Sequence, residues 1–257
     1  MFERAYEPGK EYRLRLKDES NEREVMRSNG QIVKEEDKTK VLSFVGTRKV
    51  LSAGEDQPSE YLVEELTQTL NGQASVVLPP GTKILASPAG KEWRYTVEQQ
   101  PLPKEVDELV GSLFGRTIGG PGDDDIFGTK EPRAVGEQWP VDPARLPADD
   151  DIVFDVSKAS GSTRVVSLRT VEGVECLEIE AKLSIPKLTL KGFPAEAKML
   201  EATMSGSFLG LFPTDEKRLS LSQGMSLDMA MKMEIMSPSG PIVADMTMHN
   251  ENTVSRE

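Results

Sequence analysis

The chain has 257 residues but only one cysteine, Cys176, and one histidine, His249. A single thiol cannot close an internal disulfide, and no CxxC pair exists to hold zinc. A lone histidine gives a histidine-based metal site no partner of its own kind. A serine–histidine–aspartate triad would have to recruit His249, and no GxSxG elbow supplies the serine. No apolar run approaches the ~18 residues needed to span a membrane. No basic segment followed by an apolar one opens the chain, so an export signal is not readable. Aromatics are scarce, at 5%. The core is therefore expected to be aliphatic and thioether rather than ring-packed. No cluster of lysine and arginine offsets the formal net charge of −12. Phosphate backbones and anionic membrane surfaces are repelled by such a field, which argues against nucleic acid as a partner.

Strand patterning is plentiful. Tyr12, Leu14 and Leu16 alternate with Arg13, Arg15 and Lys17, which reads as a half-buried strand. Asn29-Gly30 and Asn71-Gly72 are hairpin turns by composition. Leu62, Leu66 and Leu70 fit either a strand or a helix. Trp93, Tyr95 and Val97 share one side of a short strand. A single segment, Pro103 to Phe114, has the apolar spacing of a helix, with Val106, Leu109, Val110 and Leu113 forming the stripe. The last hundred residues read as long strands. Leu177, Ile179, Ala181, Leu183 and Ile185 share a face, as do Ala202, Met204, Gly206, Phe208, Gly210 and Phe212. The fold class is thus mainly β: a large antiparallel sheet, curved or a half-barrel, of about ten or more strands with one or two short helices.

Three stretches follow from this pattern. Residues 1–100 form a first β-rich half. Residues 101–133 hold the helix and an acidic Gly/Pro loop. Residues 134–257 form a β-meander, and the whole could equally be one continuous domain. The loop Gly119 to Thr129 is expected to be exposed and mobile. Its Gly119-Gly120-Pro121-Gly122 lacks the Lys-Ser/Thr of a phosphate loop. The aspartates that follow, Asp123, Asp124 and Asp125, could offer oxygens to calcium. They lack EF-hand order, and a solvated loop is the simpler reading. A second triplet, Asp149 to Asp151, invites the same reading. Trp139 is expected to be a buried anchor, with Gly136 allowing close backbone approach and Pro140 fixing the chain direction.

Methionine is abundant, with 11 residues. Met229, Met231 and Met233 face one way, and Met246 and Met248 belong to the next strand. One reading is a flexible core face under internal cover. The other is an adaptable apolar surface for a lipid, another apolar small molecule or a protein partner. Cys176 lies beside Glu175 and Glu178, whose charges oppose thiolate formation, so it reads as structural. No catalytic residues and no cofactor are readable. A non-enzymatic role is expected, with a hydrolase well behind.

The segment Ala134-Val135-Gly136-Glu137-Gln138-Trp139, followed by Pro140-Val141, resembles a pattern of uncharacterised exported bacterial proteins built of two β-rich halves. Gly9 to Leu14 is similar to their first strand, and Gly206 to Asp228 to their later long strands. The resemblance implies an exported product, periplasmic or lipoprotein-like, with its signal removed. It brings no catalytic residues, and the chain lacks a lipid-attachment cysteine near its start. Lipoprotein carriers, which hold acyl chains against a curved antiparallel sheet, are an analogy at the level of fold.

Overall fold

Long alternating segments need hydrogen-bonded neighbours on both sides, and here they find them in one sheet. The computed structural model describes residues 6–52, 57–90, 92–114, 118, 123–146, 152–192, 197–215, 217–238 and 240–256. The first half supplies β1 (Glu11–Ser28), β2 (Gln31–Val50), β3 (Ser59–Leu70), β4 (Gln73–Val76), β5 (Lys83–Ala89), β6 (Glu92–Val97) and β7 (Gln100–Pro101). Helices α1 (Lys104–Phe114) and α2 (Asp123–Phe127) follow. The remainder supplies β8 (Gln138–Pro140), β9 (Ile152–Phe154), β10 (Ser160–Val171), β11 (Val174–Ile185), β12 (Leu188–Leu190), β13 (Ala197–Pro213), β14 (Ser222–Ser237) and β15 (Gly240–Arg256).

Thirteen of these strands form one open antiparallel sheet in the order β7-β6-β5-β3-β2-β1-β15-β14-β13-β11-β10-β8, with β4 also on β3. The sheet does not close into a barrel. Its seam is β1 against β15, in register from Leu14 opposite Arg256 to Ser28 opposite Ile242. The two β-rich halves therefore share one sheet, joined through the first and last strands.

Turn chemistry sets the registers. Asn29 and Gly30 have φ of 51° and 79°, and Asn71 and Gly72 have 48° and 82°. Both pairs thus take the doubly left-handed form that suits a two-residue hairpin. Glu172 and Gly173 make a third such turn, with φ of 50° and 78°.

Directly opposed residues share a face, so the registers sort every side chain. The apolar face carries Leu14, Leu16, Leu42, Phe44, Tyr61, Val63, Leu66, Ile84 and Tyr95 in the first half. Helix α1 covers them with Val110, Leu113 and Phe114. The Phe114 ring stacks on Tyr61 at 4.1 Å and meets Phe44 edge-on at 4.9 Å. In the second half the same face carries Ile179, Ala181, Phe208 and Phe212, with Phe127 of α2 packed against them. A separate two-stranded pair, β9 with β12, forms a flap over Ile185 and Ala202.

The segment expected to be a loop is partly helical. Residues 119–122 lie outside the described residues, but α2 begins at Asp123 and buries Ile126. The apolar Ile126 and Phe127 give this short turn something to dock, which the aspartates and glycines alone could not. Trp139 is 4% exposed, and its indole Nε1 donates to the Phe127 carbonyl oxygen at 2.8 Å. Gly136 corrects the sequence reading: a Cβ there would meet nothing within 4 Å, so close approach is not its role. Its φ of +89° explains the glycine instead.

Candidate functional site

Methionine has three rotatable bonds and a polarisable thioether, so it fills apolar surfaces without fixing their shape. The registers place methionines in rows across neighbouring strands. Met204 of β13 opposes Met229 of β14, and Met229 opposes Met248 of β15. One step along, Ala202 opposes Met231, which opposes Met246. A third row runs Met199, Met233, Ala244 and, on β1, Met26. All of these point to the apolar face. Met225 points the same way, and Met236 points to the opposite face.

Met229 and Met233 are buried, whereas Met231, Met246 and Met248 are half-buried. Met199, Met204 and Met231 pack against Ile185, Leu188 and Ala202 under the flap. Towards β1 the rows end on charge: Met248 is followed by Glu22, and Met246 by Glu24. On β2, Lys34 and Lys38 continue the same face. Lys34 is ion-paired to both Glu24 and Glu36, and Lys38 to Glu36 at 3.3 Å. The ammonium of Lys34, followed by that of Lys38, holds the Glu36 carboxyl below its ordinary range. The apolar field is therefore covered by the flap on one side and bounded by a charged ladder on the other.

The opposite, polar face carries an open depression of about 640 Å³ over β1, β2, β14 and β15. Asn21, Thr39, Asp228, Thr247 and His249 line it. A second depression of about 560 Å³ shares Ser205 and Asp228 with it and continues over Ser162, Ser184, Ser207 and Ser226. His249 Nδ1 lies 2.7 Å from Asp228 Oδ1. Nearby, Lys17 Nζ donates to Glu19 at 2.6 Å and Asn21 Nδ2 donates to the other Glu19 oxygen at 3.3 Å. Those two hydrogen bonds lower the Glu19 pKa. This face is a hydroxyl-rich wet surface. In the strand pairing the Ser205 position is opposed by Asp228 and not by His249, so the row does not set out a nucleophile beside its base.

The sequence matches no family model and no curated protein. The fold has a distant structural likeness. It is similar to a solved structure of lipovitellin, described as showing lipid–protein interactions, with a TM-score of 0.42 and 10% identity. The likeness covers 98% of this chain and 25% of that one, so the chain spans about a quarter of lipovitellin's length.

The other sequence candidates fall elsewhere. Asp123, Asp124 and Asp125 open α2, far along the chain from the methionine rows. Asp125 is ion-paired with Arg145 at 2.9 Å, and the Asp124 carbonyl accepts from the Gly128 N–H at 3.1 Å. Among the described residues no group of three histidine, cysteine, aspartate or glutamate side chains is placed to hold a metal. Asp149 to Asp151 lie outside the described residues. Cys176 is buried, and burial pushes its thiol pKa up, with Glu175 adding to the rise and Arg169 and Arg218 opposing it. No helix among the described residues is long and apolar enough to cross a membrane.

The alternation in β14 and β15 exposed five of the methionines to sequence reading. Met26, Met199 and Met204 were missed as part of the same field because their membership depends on strand pairing. The signal was present only as an excess of methionine near the end of the chain.

Proposed function

We propose that this chain is a non-enzymatic binding protein that holds an apolar ligand, a lipid acyl chain, on its methionine face. One observation carries the reading: thioether side chains from β1, β13, β14 and β15 form one contiguous field, sheltered by the β9–β12 flap and still part-exposed at Met246 and Met248. Such a surface adapts to chains of different length and unsaturation better than a rigid leucine core does. The charged ladder of Glu22, Glu24, Lys34 and Lys38 gives a polar headgroup a place beside the field. The Ala134 to Val141 motif supports a place among exported proteins.

Native mass spectrometry of the protein from its own host tests this. An adduct in the mass range of an acyl lipid, lost on organic extraction, is the expected result. A bare chain that also fails to bind a fluorescent fatty acid saturably overturns it.

A second reading, a protein-interaction or purely structural module, is favoured by the burial of Met229 and Met233 within the chain itself. On that reading the fatty acid fails to bind, and Met248→Glu lowers stability alone.

A further inference from the structure

Packing alone does not call for sulfur at every other position of β14. Leucine has nearly the same volume, forms better-defined rotamers and would fill the same space. What methionine adds is a soft, uncharged donor atom that needs no deprotonation. Thioethers select soft monovalent ions, Cu(I) above all, over Zn(II), Ca(II) and Mg(II).

The register brings those donors together. Met204, Met229 and Met248 occupy three neighbouring strands in one row on one face. Directly opposed residues in such rows have Cβ atoms about 4.5–5.5 Å apart, within reach of two long flexible side chains. Met229 sits between the other two, so all three sulfurs can converge above it. Met231 and Met246 form a second pair in the adjacent row. The Met204–Met229–Met248 row runs on to a carboxylate, Glu22, which favours a bound cation in the partly apolar surroundings, whereas Glu24 beside Met246 is ion-paired to Lys34. His249 and Cys176, the usual copper ligands, are not needed: His249 projects from the other face, and Cys176 is buried at the far end of β11.

We infer that the methionine face is a binding site for a soft monovalent metal ion, Cu(I), held by the thioethers of Met204, Met229 and Met248. This does not rest on the lipid reading, because an ion needs only the sulfurs, whereas an acyl chain needs only the apolar surface.

The experiment uses the full chain and two ions, Cu(I) under anaerobic conditions and Ag(I). In the first arm the protein competes for Cu(I) with a chromophoric chelator. Wild type is expected to withdraw the ion. The variant carrying Met204→Leu, Met229→Leu and Met248→Leu is expected to leave it with the chelator. Cys176→Ser and His249→Ala are expected to behave as wild type. In the second arm, wild-type protein labelled at the methionine methyl carbons is titrated with Ag(I) and followed by NMR. Shifts at Met204, Met229 and Met248, with none at Met236 on the opposite face, are expected. This arm needs no variant to fold. The inference is overturned if wild type leaves Cu(I) with the chelator, if Cys176→Ser or His249→Ala abolishes uptake, or if the Met236 methyl shifts with the others. Loss of fatty-acid binding with metal uptake intact would sink the lipid reading alone.

Discussion

Trp139 links the second half of the chain to its cover, and replacing it should be costly. The indole is 4% exposed, its N–H is bonded to the Phe127 carbonyl, and the Arg133 guanidinium lies 5.8 Å from the ring. Truncating a buried tryptophan to alanine costs about 3–5 kcal/mol through lost burial and the cavity left behind. The Phe127 carbonyl also loses its donor, which adds about 1 kcal/mol if water cannot replace it. With a urea slope of about 2–3 kcal/mol/M, a loss of about 4 kcal/mol moves the unfolding midpoint down by roughly 1.3–2 M. Trp139→Phe keeps most of the ring and forfeits the hydrogen bond, so its cost should be nearer 1 kcal/mol. Urea titrations followed by far-ultraviolet circular dichroism measure both. Acrylamide quenching in a Trp93→Phe background reports on Trp139 alone and should be weak. Ready quenching, or a Trp139→Ala cost below about 1 kcal/mol, would refute the reasoning.

The remaining predictions concern packing, accessibility and charge. A Cβ on Gly210 would meet Phe212 Cε2 at 2.4 Å and Phe208 Cζ at 3.0 Å. Gly210→Ala should therefore cost about 1–3 kcal/mol in a thermal or urea melt. Gly206→Ala, whose nearest neighbour would be the Ser226 carbonyl oxygen at 3.4 Å, should cost clearly less. Under hydrogen peroxide, peptide mass spectrometry should find Met225 and Met236, exposed by 52% and 59%, oxidised first. Met246 and Met248 should follow, with Met229 and Met233 last; uniform rates would mean the registers are wrong. Burial raises the Asp18 pKa, with the Lys40 charge opposing it. Between its unfolded and folded pKa values the native state binds more protons, so stability falls as pH rises through that window. Asp18→Asn should accordingly raise Tm at neutral pH and lose that advantage in acid; a lower Tm at neutral pH would contradict the assignment.

Much of the sheet was legible because exposed alternation is a local property. In β14 the buried residues, Met229 and Met233, lie on one face, in β11 Ile179, Ala181 and Ile185 do, and helix α1 has the one clear helical stripe. Three kinds of feature were not legible. The first is the bulge. In β3, Glu65 opposes Val45 but Val63 opposes Gly46, so Glu64 is skipped and the face changes parity. Leu66, Val63 and Tyr61 then share the core, and Leu62, four residues before Leu66, falls on the other face. A second bulge skips Leu200 in β13 and puts Met199 on the same face as Ala202 and Met204. The second kind is the charged strand. Lys17 to Arg27 has almost no apolar alternation, yet β1 runs unbroken through it. Its partners lie on both neighbours: Arg23 pairs with Glu35 at 2.6 Å on β2, and Arg27 pairs with Asp245 on β15. Cross-strand pairs of this kind depend on residues far away in sequence. The third is the short helix α2, whose docking rests on Trp139 and Phe208 rather than on its own aspartates.

The methionine field shows why the seam matters to any function on this face. Met246 and Met248 are placed beside Met231 and Met229 by β15, and β15 is in turn held by β1 on its other side. Residues about 240 apart in sequence, such as Leu14 and Arg256, must therefore pair before the field is closed. Contacts at that separation form late, because loop closure must be met before they contribute. Arg256 helps to fasten the far end: its Nε donates to the Tyr6 hydroxyl at 3.1 Å, and another guanidinium nitrogen donates to the Ser220 carbonyl at 3.2 Å. The consecutive strands β13, β14 and β15 set two of the methionine rows by themselves, and only Met26 joins the field across the β1–β15 seam. A ligand or ion that binds across β13, β14 and β15 stabilises the pairing of these three strands by mass action.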